Sequence, residues 1–334
     1  MISPSILVTG GSGSFGHAFV RVVLDRFPEV ERLVIYSRDE FKQSEMADEF
    51  NHDPRLRFFI GDVRDYERLR LGMRGIDLVI HAAALKQIPA AEYNPMEVVK
   101  TNVLGAQNVV MAALEAGVRQ VVALSTDKAV APVNLYGATK LVAEKVFTAS
   151  NNLAGKLQTR FCCVRYGNVI GSRGSVIPFF ASLLQKGGLV LPVTHPDMTR
   201  FWMRIEQAVD LTIHAANHAR GGEIFVPKLP SARIMDIVTA MGDRTDHKIV
   251  GIRPGEKIHE TLIPQDVAHR TWDCGDCYMI VPDIFASGLE MPGDSSFSPV
   301  PADFSYNSDT NPNFLTISQI RELIECLKCH ENSM

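Results

Sequence analysis

The stretch ILVTGGSGSFGHAFV, residues 6–20, places a cluster of glycines between an apolar run and an amphipathic segment. Glycines at these points allow a tight turn after a strand, a close approach of the backbone to a pyrophosphate, and close packing of a helix on the strand. The N-terminus of the following helix would present N–H groups to the phosphates. A purely structural glycine turn is the alternative, but the strand before and the helix after favour a dinucleotide site. Its predicted residues are Gly10, Gly13, Ser14, Phe15 and Gly16.

The first half of the chain repeats this order of apolar run and amphipathic segment. Its apolar runs are SILVTG, RLVIYS, LRFFIGD, DLVIHAA, QVVALST and RFCCVRYGN. The repeat predicts a parallel sheet with helices on both faces, and right-handed connections make it a Rossmann-like doubly wound α/β fold. After residue 167 the elements become shorter and richer in Gly and Pro. We predict a Rossmann domain over 1–167, and a smaller, irregular α/β substrate-binding lobe with a C-terminal tail over 168–334, with later segments returning to the first domain.

Composition and charge exclude several classes of protein. Of the 334 residues 46% are hydrophobic, enough for a large core, and the net charge is −4 with acids and bases mixed along the chain. No basic stripe suggests nucleic acid, and no polybasic patch suggests a membrane surface. The first residues lack the basic region and cleavage site of a signal peptide, and no apolar stretch is long enough for a bilayer. We predict a soluble, cytoplasmic protein without nucleic-acid or membrane partners.

Six cysteines include two C-x-x-C pairs, Cys274–Cys277 and Cys326–Cys329. Such pairs can supply a four-thiolate zinc site. The two pairs lie far apart in the chain, however, and the second falls in a helical pattern. The interpretation we favour is reduced thiols, and the ten histidines show no metal-ligand spacing. No metal is predicted.

The end of the second apolar run, LVIYSRDEFKQ, bears on which dinucleotide is bound. An acid there binds the ribose 2′-hydroxyl of NAD, whereas an arginine pairs with the 2′-phosphate of NADP. Ser37 and Arg38 occupy the expected place and favour NADP, although a shift of one residue would bring Asp39 to the ribose. Three further residues are predicted to line the cofactor, at the adenine or where a small side chain lets it pass close to the backbone: Asp62, Val63 and Ala82.

Several motifs together resemble one family. The glycine loop, Tyr136-x-x-x-Lys140, and YGN after the sixth run are similar to the extended short-chain dehydrogenase/reductases. Within these, HAAALKQIPAAEYNP, LSTDKA, NLYGATK, RYGNVIGSRGSVIPFF and GIRPGEKIHE resemble the inverting UDP-N-acetylglucosamine 4,6-dehydratases, over about residues 5–282. The resemblance implies a lyase that converts UDP-N-acetylglucosamine to UDP-2-acetamido-2,6-dideoxy-β-L-arabino-hex-4-ulose. This is the first step of pseudaminic acid synthesis, used for flagellin glycosylation. Self-association into a homo-oligomer is also implied.

Tyr136 and Lys140 are spaced by four residues and therefore share one face of a helix. An ammonium beside the phenol is expected to lower the pKa of the tyrosine and to make Tyr136 a base toward a sugar hydroxyl. Lys140 is also expected to hold the nicotinamide ribose, so both residues count as cofactor-binding as well as catalytic. An ordinary amphipathic helix with a surface lysine is the alternative.

Asp127 and Lys128 in LSTDKA are what a dehydratase needs beyond Tyr136, because an elimination requires a base and an acid. The resemblance implies that Lys128 is the base at C5, that Asp127 is the acid at C6, and that Thr126 orients the sugar. Burial would favour the neutral forms of the pair, whereas mutual attraction would favour the charged forms, and the sequence leaves open which prevails. An ion pair in a turn at a strand end is the alternative.

The second lobe holds the candidates for binding the sugar nucleotide. The planar fork of arginine suits a diphosphate, and Arg173, Arg200 and Arg253 are candidates for it. The resemblance implies a substrate site lined by Lys86, Asn168, Arg173, Thr194, Arg253 and Glu256, with Lys86 and Lys42 also beside the cofactor. Two rival functions stay open, a UDP-N-acetylhexosamine epimerase and a non-catalytic NADP-binding regulator.

Overall fold

The computed structural model describes residues 2–171, 175–188, 190–242, 245–282 and 297–331. The first part contains six strands, β1 (Ser5–Thr9), β2 (Arg32–Ser37), β3 (Leu56–Ile60), β4 (Leu78–His81), β5 (Gln120–Thr126) and β6 (Arg160–Tyr166). Between them lie the helices α1 (Ser14–Arg26), α2 (Glu40–Glu49), α3 (Tyr66–Gly72), α4 (Ile88–Tyr93), α5 (Pro95–Val99), α6 (Gly105–Ala116) and α7 (Leu135–Ala149).

The later part of the chain has shorter strands and four helices among the described residues. The strands are β7 (Asn168–Val169), β8 (Val190–Val193), β9 (Thr199–Met203), β10 (Ile224–Pro227), β11 (Ser231–Arg233), β12 (Asp246–Ile249), β13 (Thr261–Ile263), β14 (Thr271–Asp273), β15 (Cys277–Ile280), β16 (Ser298–Pro299) and β17 (Tyr306–Asn307). The helices are α8 (Val176–Gln185), α9 (Ile205–His218), α10 (Ile234–Met241) and α11 (Ile317–Glu331).

One ten-stranded sheet runs through the molecule in the order β3–β2–β1–β4–β5–β6–β10–β15–β14–β16. Neighbours from β3 to β10 are parallel, and the last three strands pair antiparallel. The strand order reverses between β1 and β4, and sheets of this kind bind ligands at the carboxyl ends of the strands beside such a point. The predicted doubly wound α/β fold is confirmed.

The strands of the sheet consist mainly of apolar residues because helices cover both of its faces. Ile6, Leu7 and Val8 of β1 are fully buried, as expected for a parallel strand with both faces covered. Helix α1 packs beside α9, and α6 packs beside α3 and α7. Among the helices that the structure describes, none combines the length and the apolar character that a membrane span needs.

A second, smaller core lies outside the sheet. Its members come from α8, α10, α11 and the short strands β8 and β9, and include Ile177, Phe180, Leu191, Trp202, Ile237 and Ile320. Two small sheets, β11–β9–β7 and β12–β8, contribute residues to it, whereas the β13–β17 sheet packs into the main core. The chain between β12 and β13, residues 250–260, reaches back from here to the end of β5, where Lys257 donates to the carbonyl oxygen of Val130 at 2.6 Å.

Candidate active site

The turn between β1 and α1 has room for backbone only. Gly10 has a left-handed φ of +65°, and a Cβ added to it would lie 2.8 Å from the Cα of Ala83. A Cβ added to Gly16 would lie 1.8 Å from the carbonyl oxygen of Gly11. Only glycine fits at these two positions. The backbone of the turn can therefore approach a bound group closely, as a pyrophosphate site requires.

The other predicted residues of the loop lie at the start of α1, and they differ in their exposure to solvent. Gly13 precedes the helix, and Ser14, its first residue, is exposed. Phe15 is buried, and its ring stacks on Phe19 with the ring centroids 5.9 Å apart. Phe15 can therefore reach the loop only through its backbone.

The end of β2 shows what each charged side chain there is bonded to. The Asp39 carboxylate caps α2, accepting from the backbone N–H of Lys42 at 3.1 Å, and lies 3.0 Å from the Lys42 ammonium. Ser37 is buried and its hydroxyl oxygen accepts from Gln43 at 2.9 Å. Arg38 is half-exposed, with its side chain 54% accessible. The acid that could have replaced Arg38 at the ribose is thus engaged as a helix cap.

The predicted adenine and ribose residues lie on neighbouring loops of the same edge. The carboxylate of Asp62 is 3.6 Å from the Arg38 guanidinium and is paired with Arg64 at 2.6 Å. Val63 is buried beside Gly105, where an added Cβ would meet it at 2.8 Å. Ala82 directly follows β4, and its N–H donates to the carbonyl oxygen of Thr9 at 3.1 Å. The glycine turn, the end of β2 and the end of β4 therefore share one edge of the sheet.

The predicted catalytic residues meet where β5 ends. A 3-10 turn, Asp127–Ala129, follows Thr126 directly. Asp127 is fully buried, and its Oδ1 accepts from the Thr126 hydroxyl at 2.9 Å and from the Lys128 ammonium at 2.9 Å. The Thr126 side chain also acts on the Tyr136 phenol to lower its pKa. Thr126, Asp127 and Lys128 thus form a hydrogen-bonded chain, and Tyr136 lies next to its Thr126 end.

The charge acting on Tyr136 is not the predicted one. Burial raises the pKa of Tyr136, and the cation that opposes this is Lys128, while Asp127 adds to the rise. The ammonium of Lys140 instead donates to the carbonyl oxygen of Leu124 at 2.6 Å. The prediction that Lys140 lowers the pKa of Tyr136 is wrong, because its amine is held by backbone on the strand side of α7.

Lys128 lies between two carboxylates. Its ammonium is 2.9 Å from Asp127 Oδ1 and 3.6 Å from Glu260 Oε1. Burial acts to lower the pKa of Lys128, but the two carboxylates outweigh it and the pKa is raised. For the Lys128 amine, attraction therefore outweighs burial. The pKa of the Lys86 amine is lowered by burial and by the charge of Lys128.

Four buried oxygens on predicted or neighbouring residues have no hydrogen-bond partner among the described residues. They are Oδ2 of Asp127, Oδ1 of Asn168, Oε2 of Glu256 and Oε2 of Glu260. Buried polar groups in proteins are nearly always bonded, so these exceptions need an explanation. Acceptors that face a reacting molecule would provide it.

The predicted substrate residues are spread over the second lobe. Asn168 begins β7 and pairs with Trp202 of β9. Thr194 follows β8, and its hydroxyl lies 3.3 Å from the sulfur of Met198. Arg253 is exposed, 3.8 Å from Glu256 on the same loop. Arg173 lies outside the described residues.

Arg200 holds the loop before β13 in place, which differs from the predicted role toward a diphosphate. Its guanidinium donates to the carbonyl oxygens of Thr199, Ile258 and Lys257 at 2.7–2.8 Å. Asn134, the N-cap of α7, ties the same loop to the catalytic helix by donating to the carbonyl oxygen of Gly255 at 2.8 Å.

Sequence reasoning missed Glu260 and Lys257, although both lie in the quoted motif GIRPGEKIHE. No spacing in that motif indicates that a carboxylate there reaches the end of β5. Among the described residues, no group of three or more His, Cys, Asp or Glu side chains is arranged to hold a metal ion.

Comparison with known proteins identifies the family. A family model described as polysaccharide biosynthesis protein matches residues 6–282. The chain belongs to this family. A relative in the family is the UDP-N-acetylglucosamine 4,6-dehydratase (inverting) of Campylobacter jejuni, 50% identical over 96% of this chain and 97% of that protein. The resemblance predicted from the motifs is confirmed.

Other relatives show the breadth of the family. A UDP-glucose 4-epimerase of Rickettsia canadensis is 43% identical, over 84% of each chain. The crystal structure of Pen from Bacillus thuringiensis matches with a TM-score of 0.89 at 35% identity, covering 98% of this chain and 99% of that one. The dTDP-glucose 4,6-dehydratase DesIV of Streptomyces venezuelae, solved with NAD bound, matches with a TM-score of 0.66 at 25% identity, covering 76% of this chain and 86% of that one.

Proposed function

We propose that this chain is an NADP-dependent lyase that removes water across C5 and C6 of UDP-N-acetylglucosamine and inverts C5. The product is then UDP-2-acetamido-2,6-dideoxy-β-L-arabino-hex-4-ulose. The observation that carries the proposal is the Asp127–Lys128 pair, buried at the end of β5 and linked through Thr126 to Tyr136. The 50% identical relative of this activity supports the choice of substrate.

The residues at the β1–β4 edge fit a dinucleotide. The glycine turn has no room for a Cβ at Gly10 or Gly16, which suits a pyrophosphate. Asp39 is engaged as a helix cap, and Arg38 stands half-exposed at the ribose position, which favours NADP over NAD. A bound nicotinamide would supply the hydride acceptor for C4 and the hydride donor for C6. Further residues that would hold the cofactor are Gly13, Ser14, Phe15, Ser37, Lys42, Asp62, Val63, Ala82, Lys86, Tyr136 and Lys140.

Tyr136 and Thr126 take up the proton that leaves the C4 hydroxyl. Tyr136 accepts that proton as C4 becomes a ketone, which makes the C5 proton acidic. Because Tyr136 interacts with Thr126 and the Thr126 hydroxyl donates to Asp127, a proton can pass from Tyr136 through Thr126 to the Asp127 carboxylate. Asp127 then holds the acid that the next step needs.

Lys128 and Asp127 carry out the elimination. The amine of Lys128 removes the proton from C5, and the protonated Asp127 gives its proton to the C6 hydroxyl, which leaves as water. Because Asp127 and Lys128 are buried at the end of β5, competing water is excluded from the reaction. C5 is reprotonated on the opposite face when it is inverted. The sugar nucleotide would be held by Lys86, Asn168, Arg173, Thr194, Arg253 and Glu256.

A UDP-sugar 4-epimerase is the second candidate, favoured by the 43% identical Rickettsia relative. An epimerase transfers hydrogen only at C4 and needs no acid–base pair for an elimination. The buried contact of Lys128 with Asp127 therefore favours the dehydratase.

Proton NMR of the product distinguishes these two functions. The protein is mixed with UDP-N-acetylglucosamine and NADP in deuterated water, with no added reductant. The dehydratase gives a new C6 methyl signal and deuterium at C5. A product that keeps its C6 hydroxyl and differs only at C4 would establish the epimerase, and an unchanged sugar would refute both.

The biological setting follows from the same resemblance. We propose that the protein works in the cytoplasm as a homo-oligomer and that its product feeds pseudaminic acid synthesis for flagellin glycosylation. Size measurement by light scattering tests the assembly, and loss of the methyl-bearing sugar from flagellin after deletion of the gene tests the pathway.

A further inference from the structure

Glu260 is a carboxylate in the reaction centre that the proposed chemistry does not use. It is 2% exposed and immediately precedes β13, and its backbone is fixed by bonds with Ser308 in both directions, at 2.9 Å and 2.8 Å. Its Oε2 has no hydrogen-bond partner within the part of the chain that the structure describes. A buried carboxylate without full bonding is costly, and such groups concentrate where function requires them.

Every charged group around Glu260 lies beyond hydrogen-bond distance. From the β5 turn, Lys128 approaches Oε1 to 3.6 Å. From β9, Arg200 approaches the same oxygen to 3.8 Å, and from its own loop Lys257 approaches Oε2 to 3.9 Å. Asp127 adds a second negative charge from the β5 turn, and burial together with Asp127 raises the pKa of Glu260 above its ordinary value. His259 faces Thr199 instead, at 2.9 Å.

We infer that Glu260 accepts the proton of the Lys128 ammonium and thereby releases the neutral amine that removes the C5 proton. This inference rests on the proposed function. It gives Glu260 a positioning role, since it acts through Lys128 and is not required to touch the sugar.

The need for such a group follows from the surroundings of Lys128. An ammonium beside two carboxylates is held in its charged form, which cannot act as a base. Asp127 must supply a proton to the C6 hydroxyl and can receive it from Tyr136 through Thr126, so a separate carboxylate is needed for the proton of Lys128.

The proton balance closes once solvent is included. Transfer from the ammonium to the carboxylate gives an amine and a carboxylic acid, so Lys128 and Glu260 together hold one proton. They hold two after the amine has taken the C5 proton, and one again after the second proton has passed to solvent. C5 receives its new proton on the opposite face from a solvent-derived donor, and burial raises the proton affinity of the Glu260 carboxyl that accepts from Lys128.

The substitution Glu260→Gln tests the inference because it keeps the shape and removes the acceptor. At pH 7 we expect deuterium incorporation at C5 to fall about 100-fold or more, the low end of general acid–base effects. The loss should shrink about tenfold per pH unit as the pH rises, because solvent then deprotonates Lys128. The wild-type rate should stay flat over the same range. In addition, the pKa of Lys128, followed by NMR of 13C-labelled lysine, should fall when the carboxylate is removed.

A matched control separates chemistry from folding. Ser308→Ala removes a bond to the Glu260 backbone but leaves the carboxylate, so it should keep the flat pH profile even if it lowers the melting temperature. An equal loss at every pH in Glu260→Gln, or an unchanged rate and Lys128 pKa, would overturn the role of Glu260. Product formation by the wild type is measured in parallel. If the wild type gives no C6 methyl signal, the proposed dehydratase function is refuted, and not only the role of Glu260.

Discussion

Two buried groups of charged side chains lie at the same end of β5, and they are bonded in different ways. Glu144 of α7 accepts from Arg165 of β6 through both oxygens, at 2.5 Å and 3.1 Å, and from Ser125 at 2.7 Å. Arg165 also donates to the carbonyl oxygen of Leu262 at 2.8 Å. This pair therefore fastens four elements together: α7, β6, β5 and β13.

The neighbouring group of Asp127, Lys128 and Glu260 is left incomplete. Asp127 Oδ2 and Glu260 Oε2 have no hydrogen-bond partner among the residues described, and the contacts of Glu260 with its cations are 3.6–3.9 Å long. Burial acts to raise the pKa of Glu144, but Arg165 and Ser125 outweigh it and the pKa is lowered, whereas the pKa of Glu260 is raised. The completed group maintains the fold, and the incomplete one keeps protons available for transfer.

The largest expected effect comes from Lys128→Met, which removes the base while filling similar space. Product formation should fall about 10²- to 10⁴-fold, the range of a lost general base. The free energy of unfolding should change less than in the Glu144 variant described next, since Glu260 keeps Arg200 and Lys257 as neighbours. Steady-state assays and urea unfolding measure the two quantities. A variant that turns over normally would remove Lys128 from the mechanism.

Glu144→Gln should show the opposite pattern, a loss of stability. Breaking a buried ion pair by removing one partner costs about 3–5 kcal/mol of unfolding free energy. The Glu144 pKa is lowered in the fold, so its contribution is present above the unfolded pKa of about 4.3 and is lost as the pH falls below that value. The variant should therefore lose less stability than the wild type between pH 5 and the folded pKa. Urea unfolding at several pH values checks this, and an unchanged stability at pH 7 would contradict the structural role.

Arg38 differs from both buried groups because its side chain is half-exposed. Its guanidinium lies 3.6 Å from Asp62, a loose ion pair. Arg38→Ala should weaken NADP binding about 10- to 100-fold, the value of a charged hydrogen bond, and leave NAD binding nearly unchanged. Calorimetric titration with both dinucleotides measures the ratio. If Arg38→Ala weakened NADP and NAD binding equally, Arg38 would not contact the 2′-phosphate.

The smallest effect is expected from Asn134→Ala, at the junction of the two groups. Asn134 caps α7 by accepting from the N–H of Gly137 at 2.7 Å, and it donates to Gly255 of the Glu260 loop. Loss of the cap should cost about 1 kcal/mol of unfolding free energy. Thermal and urea unfolding check the value, and a loss as large as that of Glu144→Gln would show that the loop contact contributes more than the cap.

The features that the sequence predicts well are those encoded locally. The strands from β1 to β6 follow from uninterrupted apolar runs, and the proximity of Tyr136 to Lys128 follows from a short turn between strand and helix. Glu260 escapes prediction because its partner Lys128 is remote in the chain, and only the tertiary fold brings the two together. Asp39 stays ambiguous in the sequence, since a hydrogen bond to the N–H of Lys42 decides its role.

Arg200 and Lys140 show a second limit of sequence reasoning. Each is a cation in a suggestive motif, but backbone carbonyl oxygens bind both of them. Main-chain acceptors exist at every residue, so no residue type marks them in a sequence. The role expected of Lys140 toward the tyrosine pKa therefore failed, and the role of Arg200 toward a diphosphate stays a prediction.

One measurement tests most directly whether the Glu144 group maintains the fold while the Lys128 group transfers protons. It is deuterium incorporation at C5 of UDP-N-acetylglucosamine per folded molecule, compared between Lys128→Met and Glu144→Gln. The account predicts that exchange disappears in Lys128→Met, although that protein stays folded, and persists in the folded fraction of Glu144→Gln. Exchange that survives without Lys128, or that vanishes from well-folded Glu144→Gln, would contradict it.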